Sequence, residues 1–131
     1  MSLNLNAKKA IVKEIADVAE QAPSAIAAEY HGLSVAQMTE LRNAAREAGV
    51  YLRVVRNTLA RRAFENTQFE CMRESMVGPL VLAFSGDEPG SAARVVRDFA
   101  KENDKLVVKL VALDGNLLDT SELGRLASMP S

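Results

Sequence analysis

The chain has no tryptophan, one cysteine, one histidine and only six aromatic residues among its 131. Each scarcity excludes something. A single thiol cannot form an internal disulfide, which fits a reducing compartment. One Cys and one His make a transition-metal site of the usual ligands improbable. So few aromatic rings argue against a platform that stacks the bases of single strands. No apolar run approaches the roughly 20 residues of a membrane-spanning helix. The segment Met1 to Lys13 also lacks the apolar centre of a secretory signal. The expectation is a soluble, cytoplasmic protein, and 131 residues suit one domain.

One stretch is short of acid. The whole chain carries a formal charge of −1, yet Arg42 to Arg62 holds six arginines against the single acid Glu47. Arg53 to Arg62 carries four arginines and no acid. A near-neutral protein with one concentrated basic segment usually meets a polyanion there. Solvated faces tend to interleave charges of both signs, so a plain surface helix is the weaker reading.

Helix and strand signals alternate along the chain. Ile11, Ile15, Val18 and Ala22 recur at helical spacing over residues 6–22, with Asn6 as cap and Pro23 as stop. A buried strand is expected over residues 24–30, followed by a turn at His31-Gly32. Ser34 and Gln37 form a capping box for a helix that Gly49 ends. Val50–Val55 reads as a strand, with Leu52 and Val54 pointing one way and Arg53 and Val55 the other. Asn57 caps a helix to about Glu65, whose polar side carries Thr58, Arg61 and Arg62. Residues 69–76 suggest a helical turn. Strands are expected over 78–85 and 106–113, a helix from Pro89 between them, a turn at Asp114-Gly115, and a last helix over Ser121–Ala127. The fold class is therefore α/β, an α+β sandwich with a mixed sheet of about four strands covered by helices.

The strand-to-helix corner at residues 53–62 has a definite chemistry. Free backbone N–H groups at a helix start attract phosphate, and arginine adds planar paired donors that match phosphate oxygens. At this point the chain resembles a known family. Gly49 to Ala63, reading Gly-Val-Tyr-Leu-Arg-Val-Val-Arg-Asn-Thr-Leu-Ala-Arg-Arg-Ala, is similar to the heart of the bacterial large-subunit ribosomal protein L-ten family. Lys8-Lys9-Ala10-Ile11-Val12, Met38-Thr39-Glu40-Leu41-Arg42, Val77-Gly78-Pro79 and Glu88-Pro89-Gly90-Ser91 follow in the family's order. The resemblance covers essentially all of residues 1–131.

It implies an alpha-beta plait that binds large-subunit ribosomal RNA at the base of the ribosomal stalk, beside ribosomal protein L-eleven. It also implies a C-terminal helix, expected beyond this chain, that holds L-seven/L-twelve dimers, which recruit translational GTPases. By motif match it carries RNA contact to Arg53, Arg56, Asn57, Thr58, Arg61 and Arg62, with Lys8 and Lys9 as weaker candidates. A translational repressor that binds its own messenger leader is the alternative on the same surface.

No enzyme is expected, because no titratable pair stands beside the arginines. Cys71 lies among Phe69, Met72 and Met76 and reads as a core thiol rather than a nucleophile. Gly86-Asp-Glu-Pro-Gly90 lacks the Gly-Lys-Ser/Thr of a phosphate loop, and its two acids would repel phosphate. No cofactor and no metal are expected.

Overall fold

The computed structural model describes residues 5–30, 32–54, 57–65, 69–76, 80–86, 88, 90–113 and 116–127. Helix α1 (Leu5–Gln21) opens the chain; it begins one residue before Asn6, so Asn6 lies inside its first turn rather than capping it. Ile15 and Ala19 are fully buried along the expected apolar stripe, and Pro23 follows the helix. Strand β1 (Ser24–Glu29) comes next. Helix α2 (Val35–Glu47) starts with the capping box: Gln37 N donates to Ser34 Oγ at 3.1 Å, and Ser34 N donates to Gln37 Oε1 at 2.9 Å. Gly49, at φ +72°, reverses the chain where a side chain would be strained. It feeds strand β2 (Tyr51–Val54).

Helix α3 (Asn57–Ala63) and a 3-10 helix over Glu70–Ser75 precede strand β3 (Leu80–Phe84). Helix α4 (Ser91–Glu102) leads to β4 (Val107–Leu113), then β5 (Asn116–Leu118), a 3-10 turn over Thr120–Glu122 and α5 (Leu123–Ala127). The expected turn residues 114 and 115, together with His31, Val55, Arg56, Pro79 and Pro89, lie outside the described residues.

The sheet runs β2-β3-β1-β4-β5 and every neighbouring pair is antiparallel. The α+β class holds, but the expected mixed sheet of about four strands is corrected to five antiparallel strands among the described residues. The reason is the crossovers. β1 and β2, joined through α2, run parallel with β3 between them; β3 and β4, joined through α4, run parallel with β1 between them. Parallel strands never become neighbours, which is the split βαβ pattern of an alpha-beta plait. β5 adds a short edge.

Helices cover both faces, so alternate strand residues enter two separate cores. Ala25 and Ala27 of β1, with Leu80, Leu82 and Phe84 of β3, meet α1, α3 and the 3-10 helix. Ile26, Ala28, Val81 and Ala83 point the other way, against α2, α4 and α5. The first core holds four aromatic residues, Tyr51, Phe64, Phe69 and Phe84, whose ring centroids stand 5.8 to 6.0 Å apart in tilted or edge-on pairs. Alanines in β1 let helices approach the sheet closely from both sides.

Candidate nucleic-acid interface

Among the described residues β2 is an edge strand, paired only on its β3 side, with Arg53 opposite Leu82. Its alternation follows the sequence. Leu52 and Val54 pack into the second core, while Tyr51 packs into the first. Arg53 leans to the Tyr51 side and reaches α1, where its Nη1 stands 2.9 Å from Glu14 Oε2 and donates weakly to Tyr51 Oη at 3.5 Å. Its side chain keeps one third of its surface in water (33%), so the cation remains reachable. Burial raises the Tyr51 phenol above its ordinary pKa, and the positive charge of Arg53 partly opposes that rise.

α3 buries Leu59, Ala60 and Ala63, and Phe64 just beyond its end is fully buried. Thr58 and Arg62, one helical turn apart, face solvent. Among the described residues no ion pair neutralises Arg62. Asn57 is the first residue of α3. With seven residues the helix has fewer than two turns, so its dipole is short and the arginines carry most of the attraction.

Arg61 behaves differently from its neighbours. The sequence sets it beside Thr58 and Arg62, whereas the structure turns its guanidinium onto the segment after α3. Its Nε donates to the Arg73 carbonyl at 3.2 Å and its Nη2 to the Met76 carbonyl. Arg73 returns the contact, donating from Nε to the Arg61 carbonyl at 2.9 Å. Arg73 also pairs with Glu65 at 3.1 Å and Glu70 at 4.0 Å.

Lys8 and Lys9 stand on the first turns of α1, Lys9 exposed and Lys8 partly covered. Arg42 and Arg46 are exposed on α2, the helix over the opposite face of the sheet from α1 and α3. The fold thus divides the described arginines of this window between two faces. On the α2 side the groove toward α4 is acidic: Glu47, Glu88, Asp98 and Glu102 line it, and Arg94 there is paired with Glu88. An acidic lining of this kind disfavours phosphate in that groove.

Sequence reasoning missed Glu14 and Arg73 as partners of the basic run, and Glu65 as the partner of Arg73. Glu14 sits 39 positions before Arg53 and Arg73 sits 12 after Arg61, separations at which no local spacing rule operates. Cys71 falls in the 3-10 helix between the buried Phe69 and Met72. Among the described residues no group of three or more His, Cys, Asp or Glu is placed to hold a metal ion. No described helix is long and apolar enough to cross a membrane.

The family model described as Ribosomal protein L10 matches residues 3–101. A protein named large ribosomal subunit protein uL10 from Thioalkalivibrio sulfidiphilus is 66% identical over 131 residues, covering 100% of this chain and 74% of its own length. Proteins of the same name from Methylococcus capsulatus and Nitrosococcus oceani are 65% and 61% identical over the whole chain, which spans 75% and 70% of their lengths.

Proposed function

This chain belongs to the ribosomal protein L10 family, and from that premise we propose that its basic side docks on large-subunit ribosomal RNA at the base of the stalk. The family is one of structural ribosomal proteins, not enzymes, and its place of work is the large subunit of the cytoplasmic ribosome. The observation that carries the RNA reading is the corner at the sheet edge. There α3 turns Thr58 and Arg62, which has no ion pair among the described residues, to solvent after the strand that presents Arg53. Arg56 and Asn57 fall in the same corner by sequence, and Lys8 and Lys9 extend the charge along α1. Arginine forks and a threonine hydroxyl suit a folded RNA backbone, which offers many phosphates and no single deep site. Attachment of L-seven/L-twelve dimers and a position beside protein L-eleven belong to the same proposal. They rest on the family resemblance, and no residue described here is assigned to either.

The test is titration of the protein with a stalk-base fragment of large-subunit RNA across a salt series. Affinity should fall with salt in proportion to the phosphates neutralised. Arg62→Glu should weaken binding by at least about tenfold and flatten the salt slope by about one. Binding that ignores both salt and Arg62→Glu rejects the assignment.

A further inference from the structure

The four C-terminal carbonyls of any α-helix lack partners inside it. In α3, the Ala60 carbonyl accepts from Phe64 N at 3.0 Å and the Arg62 carbonyl from Glu65 N at 3.3 Å. The Arg61 carbonyl lies between them and accepts instead from Arg73 Nε. A cation at this end also suits the negative pole of the helix. The 3-10 helix has the mirror problem. The carbonyls of Arg73, in its last turn, and of Met76, the residue that follows it as C-cap, accept from Arg61. The Arg73 carbonyl accepts from Met76 N at 3.4 Å as well. Each helix therefore supplies the arginine that caps the other's C-terminal end. Beneath this exchange Phe64, Phe69, Met72 and Met76 are fully buried together in the first core.

We propose that Arg61 is a positioning residue of the RNA surface rather than a phosphate ligand: with Arg73 it locks α3 to residues 69–76, and that lock fixes how Thr58 and Arg62 are presented. The proposal rests on the RNA reading above. A helix of seven residues is marginal alone, so its outward face keeps its aim only through tertiary ties. Two of the five Arg61 N–H donors are spent on carbonyls, and the fork they form faces inward, away from a ligand. Arg73, by the same logic, contributes to RNA affinity without touching RNA, since its Nε is spent on the Arg61 carbonyl.

The experiment sets wild type beside Arg61→Gln, Arg73→Gln and Arg62→Gln. It measures affinity for the stalk-base RNA fragment across salt, and amide hydrogen exchange at Met72 and Met76. Arg61→Gln and Arg73→Gln should each weaken RNA binding roughly threefold to tenfold at every salt concentration, leave the salt slope unchanged, and speed exchange at both amides roughly tenfold. Arg62→Gln should do the reverse, flattening the slope by about one and leaving both amides at the wild-type rate. A slope flattened by about one in Arg61→Gln makes Arg61 a phosphate contact and overturns the proposal. Faster exchange with unaltered RNA affinity also overturns it, since the tie would then serve stability alone. If Arg61→Gln does not fold, Arg61→Lys keeps the charge and removes the fork; exchange at the wild-type rate in that variant overturns the proposal, and faster exchange with weaker binding supports it. Wild-type protein that fails to bind the RNA fragment rejects the RNA reading itself and, with it, the positioning role, whereas the outcomes above separate the two.

Discussion

Arg53 has to serve two masters. In the free protein its guanidinium rests on Glu14, and in the proposed complex it faces phosphate. The two demands are compatible because an ion pair between groups this exposed contributes only about 0–1 kcal/mol, its Coulomb gain being screened by water. On the proposed reading Glu14 holds the Arg53 guanidinium at low cost in the free protein and yields it to a polyanion. It also places one negative charge beside the proposed RNA surface. Glu14→Gln should therefore raise RNA affinity about twofold to fivefold at low salt, with the gain fading as salt screens the lost repulsion. Titration of both proteins at two salt concentrations checks this; weaker binding in the variant would mean that Arg53 needs the carboxylate to hold its aim.

Among the elements, α2 shows how far local rules reach. Its start rests on two hydrogen bonds between Ser34 and Gln37, and Ser34→Ala should cost about 1 kcal/mol of stability in urea unfolding, without altering RNA affinity. A capping box, a glycine stop and an apolar stripe are all written within a few residues of the structure they specify. For that reason α1, α2, β2 and α3 stand within a residue or two of where the sequence puts them, and the Leu52/Val54 alternation is correct. β5 was not legible, because Asn116–Leu118 is too short to show a period and exists only by pairing with Val111–Leu113. The antiparallel sheet was not legible either: α2 and α4 each look like a crossover between neighbours, and only the inserted third strand separates them. The candidate site divides along the same line. Thr58 and Arg62 follow from helical spacing. The inward turn of Arg61 does not, because the carbonyls it caps come 12 and 15 residues later in the chain.

On the scale of the molecule, the sheet acts as a partition between charges that the sequence places side by side. Arg42 and Arg46 ride on α2 with Leu41 and Ala45 packed beneath them in the second core. Arg53, Arg61 and Arg62 belong to the other layer. The α2 side also carries the groove lined by Glu47, Glu88, Asp98 and Glu102, so an RNA approaching from there meets fixed negative charge near the two arginines. A polyanion is steered by the summed charge rather than by single residues, and on the proposed reading it docks on the α1–β2–α3 side, where Arg53 and Arg62 stand, rather than on the groove lined by acids. The double variant Arg42→Gln/Arg46→Gln removes as much formal charge as Arg53→Gln/Arg62→Gln, so a non-specific attraction would weaken equally in both. The partition predicts otherwise. The α2 pair should leave the salt slope unchanged and shift affinity less than about threefold, while the β2–α3 pair should flatten the slope by about two. Equal losses in the two double variants would mean that RNA wraps the edge of the sheet at β2 and contacts both layers.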